Sequence, residues 1–463
     1  MLHPNYYHFI GIKGAGMTAL AQIYKAKGAH VTGSDTENKF FTDPILESLK
    51  IPVFQKFQEH NIGRPTVVIA SAAYGKENPE IQEAKRKRIK VLTYPQALGQ
   101  LMARKKAICV AGTHGKTTVT ALSGLLLEKA GLDPTVVVGS YVDSFSGNAR
   151  VGNSRYFAAE CCEYKRHFLK YYPKIAILTN VEMDHPDYYK SFSDVKRAFS
   201  QFVSKIPENG LLIYCADDPG AVAIAQKTSK KKISYGFSQQ AYVRAIYHRV
   251  KPGRTIFKVM RGRKLLGQFT IKVPGEHNIL NALAIIALGT HLKIKLSTIR
   301  QVLREYQGTK RRFELLGKAR GITFIDDYAH HPTEVKATLE GAKTYFPKAR
   351  IVAVFQSHTF SRTKELLGDF GQAFGAADKV VVGPIFTSAR EKKGRVSGRD
   401  IVRVGEKHHK NIKYFSNFEK IKAHLRRNLK RGDVVITMGA GNIYEVGEDL
   451  LTKFRQKKKK IKV

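Results

Sequence analysis

Acidic residues are scarce in this chain: 38 Asp and Glu stand against 79 Lys and Arg, a formal net charge of +41. Such a balance admits nucleic acid, a membrane surface or anionic small molecules as partners. The excess is spread along the whole length, and the one dense run is the terminal "RQKKKKIKV". Zinc-finger spacing, an RRM signature and aromatic-basic interleaving are all missing, so no specific nucleic-acid partner is expected. Cysteine is scarce as well. Of the four cysteines, Cys161 and Cys162 are adjacent, while Cys109 and Cys215 sit in apolar runs. That pattern excludes a disulfide framework and offers no zinc-ligand spacing. No apolar run reaches the roughly 18–20 residues that span a bilayer. The segment "MLHPNYYHFI" lacks the basic, apolar and small-residue parts of a secretion signal. A cytoplasmic location with no membrane span is expected.

What is present is an alternation of short apolar strands with amphipathic helical stretches, the mark of α/β layers with parallel sheets. At 463 residues the chain is too long for one core, and three blocks separate. Residues 1–103 open with "YYHFIGIKGAGMTALAQIYKAKG", read as strand, glycine turn and helix, and "AHVTGSD" follows as a strand ending at Asp35. This is a Rossmann-like unit. Residues 104–308 carry "KKAICVAGTHGKTTVTALSGLLLEKAG", again strand, loop and helix, then "YFAAECCE", "KIAILTNVEMD" and "GLLIYCADD". They read as a P-loop ATPase-like domain with a mixed, largely parallel sheet and a β-rich stretch near its end. Residues 309–463 contain "ITFIDDY", "RIVAVFQSH", "KVVVGPIF" and "DVVITMGAG", a second Rossmann-like unit with a basic tail.

The chemistry-bearing residues fall at the ends of these strands. A phosphate-binding loop needs inward backbone N–H groups, a lysine for the β- and γ-phosphates and a hydroxyl for Mg²⁺. "GTHGKTT" supplies Gly112, Gly115, Lys116, and Thr117 or Thr118, although the glycine that usually opens such a loop is replaced by Val110. Mg²⁺ prefers oxygen ligands, and Glu160 and His185 end neighbouring strands where ligands gather, so Thr117, Glu160 and His185 are the expected metal group. Gly11, Gly14 and Gly16 form a turn suited to a nucleotide or sugar nucleotide, with Asp35 placed for a ribose. In the last block, Asp326, Asp327, Tyr328, His330 and His331 follow one strand, and His358 and Arg362 follow the next. A small-ligand pocket is expected there, with Arg362 able to grip a carboxylate bidentately. Arg311 and Arg312 lie where a cation could reach the phosphates.

Taken together, "GIKGAGM", "GTHGKTT" and "DDYAHHPTE" resemble the Mur ligases of bacterial cell-wall synthesis. The resemblance runs from "YHFIGIKGAGM" to "TMGAGNIYEVGEDLL". It is sharpened by "ECCEYKRHFLKYYPKIAILTNVEMDHPDYY", "GEHNILNA", "RRFELLG", "FQSHTFSRT" and "IFTSARE". It implies an ATP- and Mg²⁺-dependent enzyme of peptidoglycan precursor synthesis, most like the members that join L-alanine to the lactyl carboxylate of UDP-N-acetylmuramate. The alternative is a related member adding another amino acid or a recycled tripeptide. Carried over residue by residue, the resemblance gives ATP to Gly112, Thr113, His114, Gly115, Lys116, Thr117, Thr118, His277, Asn278, Asn281, Arg312 and Asp327. It gives the UDP-sugar to Gly11, Gly14, Ala15, Gly16, Asp35 and Ser71, and the amino acid to Tyr328, His331, His358 and Arg362. Lys116, Glu160, His185 and Arg312 are the implied catalytic group. Small molecules are the implied partners, and a monomer or homodimer is expected. Two motifs depart from part of the family, "ECCEY" where some members have "EADES" and "HTF" where some have "HRF".

Overall fold

The computed structural model describes residues 5–251, 253–387, 391 and 394–456. The lysine-rich run 457–463 and residues 388–390 of "IFTSARE" lie outside the described residues. Three sheets follow one another along the chain. The first has five parallel strands in the order Val53–Phe54, His30–Ser34, Tyr6–Ile10, Val67–Ala70 and Lys90–Thr93. The chain winds outward in both directions from the central pair, so the crevice at their carboxyl ends is bounded by Gly11 and Ser71. Open α/β sheets bind ligands at such a switch point.

The second sheet has ten strands. At its centre Lys106–Ala111 runs parallel between Ile175–Leu178 and Tyr156–Glu160. These strands are nearly continuous apolar runs, buried along their length, as parallel sheets covered on both faces require. The loop after Ala111, the Thr179–Asn180 pair and Glu160 therefore gather at one sheet edge. One flank is an antiparallel meander of Val243–Lys251, Arg254–Arg261 and Lys264–Ile271. The other is the hairpin Thr135–Val142 and Gly147–Arg150. From that hairpin the buried Asn148 donates to the Ala15 carbonyl at 2.5 Å and accepts from Gln22 at 2.8 Å, joining the central sheet to the first.

The third sheet has six strands, Glu314–Ala319, Ile322–Asp327, Val434–Met438, Ile351–Phe355, Lys379–Val382 and Ile412–Tyr414, with only the first antiparallel. Asp327 and the segment 356–358 thus emerge on either side of Gly439. The three-sheet α/β architecture expected from the sequence is what the chain adopts. Strands that the apolar pattern did not announce are short or polar edge elements, such as Val53–Phe54, Glu314–Ala319 and Ile412–Tyr414, which bury only part of one face.

Candidate active site

The loop after Lys106–Ala111 is shaped by two glycines at positive φ, Gly112 at 144° and Gly115 at 80°. A Cβ on Gly112 would stand 2.0 Å from Thr179 Oγ1, and one on Gly115 would stand 2.7 Å from Asn281 Oδ1. Neither position admits a side chain, so the loop lies flush against its neighbours. Gly115 caps the helix Lys116–Lys129, directing that helix's N-terminal dipole at the loop. Lys116 Nζ donates to the carbonyl oxygens of Gly112 and Thr113 and to both oxygens of Glu163, at 3.0 and 3.2 Å for the carboxylate. Burial opposes the ammonium charge, but Glu163 outweighs it and raises the Lys116 pKa.

The oxygens expected to hold metal stand side by side. Thr117 Oγ1 donates to Glu160 Oε1 at 2.8 Å, and Glu160 Oε2 accepts from the Gly139 amide at 2.7 Å. His185 joins a separate group. It lies 3.8 Å from Glu163 and 3.7 Å from Asp184, and the ligand atoms of these three residues fall within 4.8 Å of one another. Thr117 and Glu160, which the resemblance gives to one Mg²⁺, stand together, and His185, which it gives to a second, stands with Glu163 and Asp184, with Lys116 bound to Glu163. The hydroxyl and the carboxylates are oxygen donors that fit Mg²⁺, and the imidazole beside the second set, which burial holds below its ordinary pKa, is a nitrogen donor. His185 has φ +55°, an uncommon conformation for a residue other than glycine. Such strain is found at functional sites.

A cavity of about 260 Å³ opens beside the loop. His114, Gly115 and Thr118 line it from the loop, His277, Asn278 and Asn281 from the helix Glu276–His291, and Arg312 and Asp327 from the third sheet's side. Eight of the expected ATP residues therefore meet at one space. Burial pushes the His277 imidazole down to about 4, leaving it neutral. Burial also lifts the Asp327 carboxyl to about 6, against the pull of Arg312. Its oxygens accept from the Phe313 amide at 2.8 Å and the Ala329 amide at 2.7 Å.

The third sheet closes on the loop through a histidine the sequence had given only to nucleotide. His114 Nδ1 lies 3.0 Å from Glu334 and its Nε2 3.5 Å from Glu182. Burial opposes the imidazolium, but the two carboxylates push its pKa up to about 10. Thr333 donates to Glu182 at 2.8 Å. Glu334 also accepts from the backbone of His330 and His331, completing a capping box for the helix Pro332–Tyr345. Glu163, Asp184 and Glu334 were not among the expected site residues. The His-Pro-Thr-Glu spacing was the one local signal for Glu334, and only the sheet order brings it to His114.

Of the four residues expected at the amino acid, two line one small cavity, and Tyr328 reaches His358 through the His330 ring, 5.3 Å from the first and 6.0 Å from the second. His358 and Arg362 line a small cavity of about 40 Å³ together with Tyr164, His185, Thr359 and Glu391. Tyr328 also lies under Arg311 and Arg312, 5.1 Å from each guanidinium. His331 caps its helix and rests against His114, with ring centroids 4.8 Å apart. Arg362 is already engaged along one edge. Its Nε and Nη2 both donate to Asp184 Oδ1, at 3.0 and 2.7 Å, so one side of the guanidinium is taken and the Nη1–Nη2 end, with Nη1 facing His358, is what could meet a carboxylate.

In the first sheet's crevice, Gly11 sits at φ +79°, and a Cβ there would stand 2.6 Å from the Tyr74 ring and 2.9 Å from Ser71. Asp35 accepts from the amides of Lys13 and Thr36, each at 2.8 Å, and from Tyr74 Oη at 3.2 Å. A Cβ on Gly16 would meet the Tyr94 ring at 2.6 Å. Gly11, Ser71 and Asp35 are therefore brought together around Tyr74, while Gly14, Ala15 and Gly16 form the helix entry beside them.

A nucleotide loop at a parallel switch point, flanked by two α/β units that close on it, defines the class, and known proteins carry the same plan. Family models match in succession: the Mur ligase family catalytic domain over residues 6–106, the Mur ligase middle domain over 110–289 and the Mur ligase glutamate ligase domain over 311–441. The chain belongs to the Mur ligase family. A UDP-N-acetylmuramate–L-alanine ligase of Desulfitobacterium hafniense is 46% identical over 450 residues, covering 97% of this chain and 100% of the relative. The crystal structure of a UDP-N-acetylmuramate-alanine ligase from Thermotoga maritima superposes with a TM-score of 0.85 at 28% identity, covering 98% of this chain and 99% of that one. A MurF ligase from Thermotoga maritima, solved in complex with ADP, shares the fold with a TM-score of 0.63 at 18% identity over 92% of this chain and 96% of its own. Among the described residues no helix is long and apolar enough to cross a membrane.

Proposed function

We propose that the protein is an ATP-dependent ligase that joins L-alanine to the lactyl carboxylate of UDP-N-acetylmuramate through an acyl phosphate, in peptidoglycan precursor synthesis. The observation that carries this reading is 46% identity over 97% of the chain to a UDP-N-acetylmuramate–L-alanine ligase, together with two cavities each lined from both the central and the third domain. The nucleotide-sized one lies beside the loop, and the much smaller one is walled by His185, His358 and Arg362. The smaller cavity sets the Arg362 guanidinium beside His358 and His185, groups that suit the carboxylate and amine of an amino acid. Residues 1–103, 104–308 and 309–463 are then the units for UDP-sugar, ATP and amino acid.

The Thr117–Glu160 and Glu163–Asp184–His185 sets would hold Mg²⁺, which supplies charge neutralisation to the phosphates when bound. Lys116, released from Glu163 and the loop carbonyls, turns its ammonium to the β- and γ-phosphates. Arg312 brings a second cation from the third sheet. Its pKa is raised because Glu334 and Asp327 outweigh its burial, so it stays charged in the cavity. Neutral His277, with Asn278 and Asn281, offers hydrogen bonds to the adenine edge, and Asp327 accepts from ribose hydroxyls. The carboxylate of the sugar takes the γ-phosphoryl group, the amine of L-alanine attacks the acyl carbon, and phosphate leaves. The clasp of His114, Glu182, Thr333 and Glu334 keeps the two domains closed and water away from the acyl phosphate. Each cavity is built from one chain, compatible with a monomer or a homodimer acting in the cytoplasm.

The test is phosphate release measured with ATP, Mg²⁺ and UDP-N-acetylmuramate against a panel of L-alanine, glycine, L-serine and the tripeptide. Release that requires the sugar nucleotide and is fastest with L-alanine is expected. Preference for the tripeptide, or release independent of the sugar nucleotide, contradicts the reading.

A further inference from the structure

Between Asp218 and Glu276 the chain has no acidic residue and thirteen Lys and Arg. This stretch builds the antiparallel flank of the central sheet, at the end remote from the Gly147–Arg150 strand that meets the first domain. The pleat sends alternate side chains to opposite faces. Thr255, Phe257, Val259, Phe269 and Ile271 are buried on the inner face. The register then fixes the outer face in rows: Arg244 with Met260 and Leu265, Tyr247 with Lys258 and Gln268, Arg249 with Ile256 and Thr270, Lys251 with Arg254. Cations and apolar groups alternate over this face, and no carboxylate stands among them. Tyr247 and Leu265 are more than half exposed, at 53% and 55%, and Ile246 at the bulge is 47% exposed. Among the described residues, none of the arginines or lysines of 243–271 has a carboxylate within salt-bridge distance, whereas cations elsewhere in the chain commonly do.

We propose that this outer face docks the protein on an anionic lipid surface. Unpaired cations complement lipid phosphates, and Ile246, Ile256, Met260 and Leu265 suit the apolar boundary beneath them, with Tyr247 at the level where amphipathic rings settle. The aliphatic content is what separates lipid from nucleic acid. Sheet faces that bind single strands stack bases on exposed rings, and this one presents Tyr247 among aliphatic side chains, with Tyr242 at its margin against Arg261. The face lies outside the catalytic cavities, so docking would localise the enzyme without entering its chemistry.

The experiment is co-sedimentation of the full chain with vesicles of phosphatidylcholine alone and of phosphatidylcholine with phosphatidylglycerol. It is repeated with a polynucleotide and for two double variants, Arg249→Glu/Lys258→Glu on the face and Lys410→Glu/Lys420→Glu on the third domain. Binding to the anionic vesicles only is expected, lost in high salt. It should fall about tenfold or more in the face variant while ligase activity in solution is retained, and the third-domain variant should bind nearly as the parent does. Tyr247→Ser/Leu265→Ser should weaken binding at unchanged net charge. Equal loss in the two charge variants would reduce the effect to overall charge and overturn the proposal. Absence of vesicle binding, or binding to the polynucleotide alone, would overturn it as well.

Discussion

After the strand Tyr6–Ile10 come Gly11 and Lys13, and after Lys106–Ala111 come Gly112, Gly115 and Lys116. Both stretches turn from a buried parallel strand through a glycine at positive φ, and both carry a lysine. The lysines end in different company. Lys13 is only 4% exposed; its Nζ donates to the carbonyls of Thr36 and Asn38 and to Gln55, and pairs with Asp43 at 3.3 Å. It ties the loop after His30–Ser34 to the crevice floor. Lys116 is held by its own loop and by the buried Glu163, and its chain neighbours Gly115 and Thr118 line the cavity. A glycine turn with a lysine is thus not by itself a phosphate site, and the one proposed lies where a cavity adjoins the loop. In the first sheet Tyr74 and Ser71 cover Gly11, and in the second Thr179 and Asn281 cover Gly112 and Gly115.

The largest effect expected from this contrast is at Lys116. Lys116→Ala should lower kcat by about 1,000-fold or more, the scale for removing a group that stabilises developing charge, while UDP-sugar binding is kept. Undiminished turnover would erase the distinction between the two loops. Next comes the interdomain pair. Arg362→Ala leaves Asp184 charged and buried, a loss of about 3–5 kcal/mol. It should lower the thermal midpoint and raise the KM for the amino acid more than that for ATP; equal rises would detach Arg362 from the small cavity. At Lys13 the expectation reverses. Lys13→Met strands two carbonyls and Asp43, a stability loss of about 1–3 kcal/mol read by denaturant titration, with kcat at saturating substrate unchanged. A drop in kcat matching that of Lys116→Ala would break the comparison from the other side. The smallest effect concerns pH. Asp327 titrates near 6, raised by burial, so its carboxylate is present above that value and lost below it. The KM for ATP should rise severalfold as pH falls from 7 to 5, and Asp327→Asn should remove the step. A step of the same size in that variant would assign it to another group.

The loop, the alternation of strands and helices and the three-unit plan were legible because each is local: apolar runs, glycines at strand ends and a Lys-Thr pair opening a helix. The meeting of His277, Asn281, Arg312 and Asp327 at one cavity came from the family resemblance and not from any spacing within the chain. Least legible were the carboxylates. Glu163 lies three residues after Glu160 and reads as an ordinary surface acid, yet its side chain is 2% exposed and holds Lys116. Asp184 precedes His185, but its role depends on Arg362, distant in sequence and brought close only by domain closure. The split of Thr117–Glu160 from Glu163–Asp184–His185 follows from register: Val110 pairs with Glu160, and Leu178 with Ala111. Neither pairing is written in residue spacing.

The central claim is that the sugar carboxylate is activated as an acyl phosphate, and one measurement reaches it directly. UDP-N-acetylmuramate labelled with ¹⁸O in its lactyl carboxylate is turned over with ATP and L-alanine, and the released phosphate is analysed by mass. The account predicts one ¹⁸O atom in each phosphate, carried from the carboxylate when the amine displaces it. Unlabelled phosphate alongside full amide formation would contradict it.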